Sequence, residues 1–369
     1  MISHNQIDNA QRLPAEILYA QELKALKKDD TGIKPNGWVL SPKAVRTFIL
    51  GSDAQKTNGI SIEKKILGND PVVERSIVTL AGQRGLILVG SPGTAKSLLS
   101  ELLAAAISGS SLNTIQGGAG VVEEQIRYNW NYAMLLKEGP GPLAMIPGPL
   151  YLAMDQGKIL RFEEMTRCQT EVQDSLIPVM SERILHIPEY ESGEGVLLAR
   201  NGFNVIATAN LRDRGVNEMS SALKRRFNFE TMHPIEDQQL EVALVTREVD
   251  RLLKREGINE SANQDLMELI VTVCRELRTG EVLGTKMEPV SGSLSTAEVV
   301  QVAFSAFVEG WYMDRSPVKP SQMFKHLVGT VIKDDEDDRK RVGNYLRFIK
   351  EKRKDSPEWA EFFNGEQWL

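Results

Sequence analysis

Apolar residues recur at helical spacing in some stretches of this chain and form short unbroken runs in others. Between residues 10 and 28 they fall on one helical face, and turn residues at 35–37 end that helix. Residues 71–80 predict a second helix, with Pro71 in its first turn. The apolar run at residues 86–89 is short and is followed by glycine, which predicts a buried strand.

The same alternation continues through the middle of the chain. Apolar runs at residues 158–162 and 205–209 predict two more strands. Helical spacing resumes after Leu98, at residues 127–137 and at residues 170–181. Two further apolar segments, 184–187 and 196–199, flank a glycine-containing loop and predict a hairpin.

Strands that alternate with helices, followed by helices alone, predict a parallel α/β domain and then a helical domain. The expected organisation has four parts: an N-terminal helical extension at residues 1–60, the α/β domain at 61–233, the helical domain at 234–332 and a C-terminal helical tail at 333–369.

The composition excludes several classes of protein. The chain has 369 residues, 41% apolar and 25% charged, which is typical of a soluble globular protein. It has no run of ~18 apolar residues that would span a membrane. The opening residues lack the features of a signal peptide, and Cys168 and Cys274 have no disulfide or metal-site spacing, so a cytoplasmic location is expected. The formal net charge of -6 provides no general attraction for nucleic acid.

The strongest chemical signal follows the first predicted strand. Residues 90–97 match the phosphate-binding pattern G-x-x-x-x-G-K-[ST], except that alanine replaces the second glycine. In such a loop, backbone N–H groups surround phosphate oxygens, the lysine reaches the β and γ phosphates, and the hydroxyl reaches Mg²⁺. The alanine adds little strain if its φ angle is negative. The candidate nucleotide-binding residues are Gly90, Ser91, Pro92, Gly93, Thr94, Ala95, Lys96, Ser97 and Leu98.

Two carboxylates, Glu163 and Glu164, follow the second predicted strand. They come at its carboxyl end, where open α/β sheets bind ligands. A phosphate-loop enzyme needs one acidic group for the Mg²⁺ shell and another to orient the attacking water. We assign Glu163 to the metal, together with Ser97, and Glu164 to the water. Acidic residues at a solvated strand end are common, so this assignment depends on the phosphate loop upstream.

Polar and basic residues after the later strand complete the candidate site. Asn210 directly follows residues 205–209 and is placed to bond an attacking water or a γ phosphate, with a turn-forming asparagine as the alternative. Arg225 and Arg226 follow Lys224 and precede Phe227. A guanidinium offered to a neighbouring subunit's phosphate would stabilise transition-state charge, whereas a solvated basic turn is the other interpretation.

These elements, in this order, resemble an AAA+ ATPase, and most closely the MoxR family, over about residues 66–300. No single stretch is specific, but the combination is. The matching stretches are Gly93-Thr94-Ala95-Lys96-Ser97, Ile146-Pro147-Gly148-Pro149-Leu150, Glu163-Glu164-Met165-Thr166-Arg167, Val172-Gln173-Asp174-Ser175-Leu176, Ala207-Thr208-Ala209-Asn210 and Ala222-Leu223-Lys224-Arg225-Arg226-Phe227.

The resemblance implies a role for each part of the site. Residues 90–97 correspond to the Walker A motif, Glu163 and Glu164 to Walker B, Asn210 to sensor 1, and Arg226, with Arg225 as the alternative, to an arginine finger. It also implies an ATP hydrolase that forms a ring, usually a hexamer, with ATP and Mg²⁺ at the subunit interfaces. Residues 115–148 would be an insertion facing the central pore. The expected partners are a protein client and a protein with a von Willebrand factor A domain.

The chain departs from the family pattern at three positions. Glu163 stands where the family usually has aspartate. Arg161 interrupts an apolar strand, which places that strand near an edge or pairs the arginine with an acid. Ala297 stands where the family's sensor 2 arginine is expected. Either another cation such as Lys286 or Arg275 replaces it, or the helical domain senses nucleotide weakly.

Two other functions stay open. A nucleic-acid motor, or a restriction subunit driven by GTP or ATP, would favour a basic, aromatic insertion. However, Arg127 and Lys137 are outnumbered there by Glu123, Glu124 and Glu138. A nucleotide-binding scaffold with negligible turnover is the other alternative, suggested by Glu163 and by the missing sensor 2 arginine.

Overall fold

The structure is a computed structural model that describes residues 7, 10–52, 59–190, 195–211, 213, 215–292, 294–333 and 335–369. Parts of the predicted N-terminal extension, the tip of the predicted hairpin and Asp334 in the predicted tail lie outside these residues. The chain forms two compact units. The first comprises residues 1–90 and 95–233, and the second comprises residues 91–94 and 234–369.

The first unit alternates strands and helices. Its helices are α1 (Ala15–Leu18), α2 (Ala20–Asp29), α3 (Pro42–Leu50), α4 (Asp70–Ala81), α5 (Lys96–Ser108), α6 (Glu123–Ile126), α7 (Tyr132–Glu138), α8 (Pro149–Gln156), α9 (Thr170–Asp174), α10 (Leu176–Glu182) and α11 (Ser221–Lys224). Its strands are β1 (Gly85–Val89), β2 (Thr114–Gln116), β3 (Tyr128–Trp130), β4 (Met145–Pro147), β5 (Ile159–Glu163), β6 (Ile184–His186), β7 (Val196–Leu198), β8 (Asn204–Ala209) and β9 (Phe227–Thr231).

A five-stranded parallel sheet forms the centre of this unit, in the order β2-β5-β8-β1-β9. Successive residues of β1 point to opposite faces: Leu86 and Leu88 join one apolar cluster, while Ile87 and Val89 join the other. Both faces of the sheet are therefore covered, as the continuous apolar runs require. The predicted fold class, a parallel α/β domain followed by a helical one, is confirmed.

Two local predictions in the middle of the chain have different outcomes. The predicted hairpin is present as β6 paired with β7. The single helix predicted at residues 127–137 is wrong: β3 pairs with β4, and the helix begins only at Tyr132. Asn131 separates the two elements because its side chain caps the helix by accepting a hydrogen bond from the Met134 N–H. Strands β2 and β9 were not predicted.

The second unit is built mainly of helices. These are α12 (Gln238–Arg255), α13 (Gln264–Thr279), α14 (Thr296–Glu309), α15 (Pro320–Val331), α16 (Glu336–Arg353) and α17 (Pro357–Phe363). A two-residue hairpin, β10 (Glu281–Val282) with β11 (Thr285–Lys286), interrupts them. None of the helices in the described ranges is long and apolar enough to cross a membrane.

A buried carboxylate ties three of these helices together. Glu241 on α12 is fully buried and accepts hydrogen bonds from Arg275 and Arg278 on α13 and from Thr296 on α14, at 2.7–3.3 Å. Burial raises the pKa of Glu241, but the two arginines and the Thr296 hydroxyl lower it by more than burial raises it. The pKa of Glu241 is therefore below its ordinary value. The carboxylate is ionised at neutral pH.

We expect Glu241→Gln to lower the free energy of unfolding of the helical unit by about 3 kcal/mol at neutral pH, because it leaves two partly buried guanidinium groups without a counter-charge. Since the pKa of Glu241 is depressed, its stabilising effect should be full above about pH 5 and shrink at lower pH. Urea unfolding at neutral and at acidic pH measures the loss of stability and its pH dependence. Glu256→Gln, which removes an exposed ion pair with Arg255, serves as the control and should change stability by less than about 1 kcal/mol. Equal effects of the two substitutions would contradict this account.

Candidate functional site

The carboxyl ends of three neighbouring strands place the predicted residues together. Strand β8 lies between β5 and β1, with Phe162 beside Ala207 and Val89 beside Ala209. The phosphate loop leaves β1, Glu163 ends β5, and Asn210 directly follows β8. Residues separated by about 70 and 120 positions in sequence therefore meet at one end of the sheet.

The phosphate loop has an unusual backbone. Gly90 and Gly93 have φ angles of 149° and 74°, which glycine adopts without steric cost. Ala95 has φ 63°, so the condition that its φ angle is negative is not met. A left-handed alanine costs about 1–2 kcal/mol. The loop adopts this conformation because Ala95 is the residue that turns the chain into α5, whose first residue is Lys96.

The lysine of the loop lies close to the acidic pair. Its Nζ donates to the Gly90 carbonyl oxygen at 2.9 Å. Burial lowers the pKa of Lys96 below its ordinary value, while the charges of Glu164 and Glu163 oppose this shift. The ammonium group and both carboxylates thus share one electrostatic environment.

Glu163 is only 5% exposed, and its carboxylate is enclosed by donors. Oε1 accepts hydrogen bonds from Arg161, at 2.7 Å, and from the Ser100 hydroxyl, while Oε2 accepts one from Thr208 at 2.8 Å. The Ser97 hydroxyl also bonds this carboxylate. Burial raises the pKa of Glu163, but Arg161 and the three hydroxyl groups bring it below its ordinary value. The group is therefore a buried, ionised carboxylate.

Glu164 has a different environment. Its side chain is half-exposed and pairs with Arg167, which also pairs with Asp213 at 2.6 Å. Its backbone is left-handed, with φ 51°, and its N–H donates to Thr208 Oγ1 at 2.9 Å. Thr208 therefore links the two glutamates, holding the carboxylate of one and the backbone of the other. A half-exposed carboxylate beside a phosphate loop is placed to act on a solvent molecule.

The oxygen atoms at this end of the sheet fit Mg²⁺. The Ser97 hydroxyl and the Glu163 carboxylate are in contact, and both are hard oxygen donors. No cluster of three His, Cys, Asp or Glu residues that could hold a metal occurs in the described parts of the chain. Mg²⁺ is usually bound through one or two protein oxygens, waters and substrate phosphates.

Arg225 and Arg226 lie at the other end of the sheet. Arg226 precedes β9, whose first residue is paired with Gly85 at the start of β1. The arginines are therefore a full strand length, roughly 15 Å, from the phosphate loop. They line an open pocket of about 400 Å³ with Arg84, Arg183, Gln83, Met180 and Ser181. The Arg183 NH1 atom is buried and has no partner among the described residues.

Comparison with known proteins identifies the family. Residues 85–227 match the model of the AAA domain, dynein-related subfamily, and residues 239–366 match that of the YehL-like AAA+ ATPase C-terminal domain. The uncharacterized protein YehL of Escherichia coli is 49% identical over 341 residues, covering 92% of this chain and 93% of that protein. The chain belongs to the YehL-like AAA+ ATPases.

More distant matches include a chaperone and a solved structure. The chaperone MoxR1 of Mycobacterium tuberculosis is 29% identical over 169 residues, which cover 46% of this chain and 41% of that protein. The predicted MoxR-like resemblance is thereby confirmed. Among solved structures, NtrX of Brucella abortus in complex with ADP covers 68% of this chain and 51% of its own, with 12% identity and a TM-score of 0.46. That likeness is too low to add to the family assignment.

The helical unit of this YehL-like protein has alanine at the expected sensor 2 position. Ala297 lies in the first turn of α14. Of the two proposed replacements, Arg275 donates to Glu241 and to the carbonyl groups of Ile235 and Glu236. Lys286 is exposed on β11. Arg275 is therefore engaged inside its own unit, whereas the Lys286 side chain lies at the surface.

The insertion at residues 115–148 uses its aromatic side chains in two ways. Tyr128 and Trp130 pack edge to face, with ring centroids 5.9 Å apart, and both donate to Glu189. These two rings stabilise the insertion. Tyr132 and Leu136, in contrast, are 71% and 90% exposed. Both basic residues of the insertion form ion pairs, Arg127 with Glu123 and Lys137 with Glu138.

Sequence reasoning missed the residues that support the glutamates. Ser100 and Thr208 bond Glu163 from two different elements, and no local pattern marks them. Gly117, interpreted only as part of a flexible break, donates to the Glu163 carbonyl oxygen at 2.7 Å. A Cβ atom there would lie 2.3 Å from the Glu164 carbonyl oxygen, so this position requires glycine.

We expect Lys96→Met to weaken binding of ATP by at least ~10-fold, because a charge-assisted hydrogen bond to phosphate contributes about 1.5–3 kcal/mol. Titration with a fluorescent ATP analogue measures the affinity. Lys158→Met makes the same change at the opposite end of the sheet, just before β5, and should leave the affinity within about twofold. Equal binding by both variants would exclude Lys96 from the nucleotide site.

Proposed function

We propose that this protein is an oligomeric ATP hydrolase that uses the energy of hydrolysis to remodel or activate a protein client. The observation that carries the proposal is the meeting of the phosphate loop, Glu163, Glu164 and Asn210 at one end of the sheet, with an arginine pocket at the other. Hydrolysis of a phosphoanhydride needs positioning and charge stabilisation, and these groups supply both.

In the proposed mechanism, the backbone N–H groups of residues 90–97 and Lys96 hold the phosphates. Ser97 and Glu163 would hold Mg²⁺, which neutralises phosphate charge when bound. Glu164 orients the attacking water, and Asn210 bonds the water or the γ phosphate. Arg226 of a neighbouring subunit, or Arg225 in its place, stabilises the charge that develops on the transferred group.

The distance across the sheet supports action between subunits. A guanidinium at the amino end of β9 does not reach the loop at the carboxyl end of β1 in the same unit. A head-to-tail arrangement of identical subunits places one end against the other, and it forms a ring when the rotation between subunits closes. A hexamer is the ring size that the family resemblance favours.

The client surface that we propose is the insertion. Tyr132 and Leu136 expose apolar area there, and the two ion pairs leave little positive charge for phosphate backbones. This favours a protein client over a nucleic acid. The distant match to a protein named chaperone MoxR1 supports a protein client. A partner with a von Willebrand factor A domain, and a cytoplasmic location, complete the proposal by resemblance to MoxR proteins alone.

We expect Glu164→Gln to lower steady-state ATP turnover by about 100-fold or more and to leave ATP binding within a few-fold, because a general base typically contributes 10²–10⁴. Release of inorganic phosphate measures turnover, and the substitution Glu171→Gln, at an exposed position on α9, is the control. Light scattering of Glu164→Gln with ATP and Mg²⁺ should show a ring. If the wild type turns over less than about once per minute and the variant equals it, the scaffold function is correct instead.

Mixing two inactive variants tests action between subunits. Arg226→Ala and Glu164→Gln should each be inactive alone. In a 1:1 mixture, about a quarter of the interfaces would pair an intact Glu164 with an intact Arg226, so roughly a quarter of wild-type turnover should return. Arg200→Ala, which removes an exposed ion pair with Asp155, controls for loss of surface charge. Full activity of Arg226→Ala would show that Arg226 is not the finger, and mixtures that stay inactive would contradict action in trans.

A further inference from the structure

Arg161 is a buried cation in the middle of a central strand. Its side chain is only 10% exposed, on β5, one strand in from the edge of the sheet. Burying a guanidinium group is costly unless it is paired and its N–H groups are bonded. Every nitrogen of this group has a partner. Nε donates to Ser100 Oγ at 3.1 Å, and NH1 donates to the Ser111 carbonyl oxygen at 3.1 Å and to Thr114 Oγ1 at 3.4 Å. NH2 donates to the Ser97 carbonyl oxygen at 3.3 Å and to Glu163 Oε1 at 2.7 Å.

The partners of Arg161 include both residues to which we assign Mg²⁺. Its NH2 group contacts Ser97, in the first turn of α5, and Glu163, at the end of β5. The Ser100 hydroxyl also connects Arg161 with Glu163, because it accepts a hydrogen bond from the arginine and donates one to the carboxylate. One planar guanidinium group thus spans the gap between the helix that carries Ser97 and the strand that carries Glu163.

We propose that Arg161 is a positioning residue that fixes Ser97 and Glu163 at the spacing that Mg²⁺ requires. The inference rests on the proposed function, in which these two residues hold the metal. Arg161 occupies Oε1 of the carboxylate, whereas Oε2 faces Thr208 on the other side. Arg161 and Thr208 therefore restrain the carboxylate from opposite sides, one through each oxygen.

This role needs the shape of arginine as well as its charge. The guanidinium fork donates in several fixed directions, and Arg161 uses them to reach the Ser111 and Ser97 carbonyl oxygens as well as Glu163. A lysine at this position would keep the charge beside Glu163. A single ammonium group does not span the same set of acceptors, so the link through this side chain between the Ser97 carbonyl oxygen and Glu163 would be lost.

The experiment compares the affinity for a fluorescent ADP analogue with Mg²⁺ and with a chelator in its place. For the wild type, we expect Mg²⁺ to increase the affinity. For Arg161→Met, affinity without Mg²⁺ should stay within about twofold, because Lys96 and the loop are unchanged, while the gain from Mg²⁺ should fall by at least ~10-fold, as is typical when a ligand's supporting partner is lost. Arg161→Lys should lose most of the gain as well.

The control is Arg75→Met, which removes a bidentate ion pair with Glu230 in the same unit but touches neither Ser97 nor Glu163. It should keep the full gain from Mg²⁺. Circular dichroism shows which variants fold. If Arg161→Met does not fold, the Mg²⁺ response of Arg161→Lys decides whether Arg161 positions the two residues. If Arg161→Lys keeps the full gain in affinity from Mg²⁺, a positive charge alone is enough for that gain, and the positioning role is overturned.

Three other outcomes are decisive. An unchanged gain in the folded Arg161 variants would mean that the arginine serves the fold alone. A larger gain would mean that Arg161 competes with Mg²⁺ for the carboxylate, and either result overturns the inference. If the wild type itself does not respond to Mg²⁺, the assignment of Ser97 and Glu163 as metal ligands is wrong, and the error lies in the proposed function.

Discussion

The buried carboxylate of Glu163 sets the geometry of one end of the sheet. A carboxylate removed from water costs several kcal/mol unless its oxygens are bonded, so the chain must bring donors to it. Those donors come from three elements: Arg161 from its own strand, Ser97 and Ser100 from the helix after the phosphate loop, and Thr208 from the neighbouring strand. Satisfying this single charge fixes the loop, the acidic pair and the strand that leads to Asn210 relative to one another.

That constraint accounts for the backbone strain nearby. Ala95 and Glu164 are both left-handed without being glycine, and each costs about 1–2 kcal/mol. Ala95 turns the chain into the helix that brings Ser97 and Ser100 to Glu163, and the Glu164 N–H is held by the same Thr208 that binds the carboxylate. The buried network therefore stabilises both conformations. One glutamate stays ordered and enclosed, while its neighbour keeps a half-exposed carboxylate.

The sequence predicted the parts of this site that have local signals. A strand, a glycine loop and a helix are contiguous, so residues 90–97 could be found from spacing alone, and the acidic pair follows an apolar run. The supporting contacts could not be found in this way, because Ser100 and Thr208 meet Glu163 across 63 and 45 positions of sequence. Strand β2 has only three residues, with Ile115 as its single buried one, which is too short for a periodic pattern. The pairing of Arg161 with an acid was one of two interpretations of a charge in an apolar strand, and burial of both groups decides for it.

The two ends of the sheet could both contact a phosphate group. At the carboxyl end, N–H groups and Lys96 are arranged for phosphate, and at the amino end the pocket is lined by four arginines and no carboxylate. Guanidinium groups gathered in one pocket repel one another, and the buried NH1 atom of Arg183 has no partner among the described residues. A phosphate held by the loop of a neighbouring subunit would relieve the repulsion between the guanidinium groups. In the proposed ring, nucleotide would therefore stabilise the assembly as well as being its substrate, because a ligand that binds the assembled form more tightly shifts the equilibrium towards it.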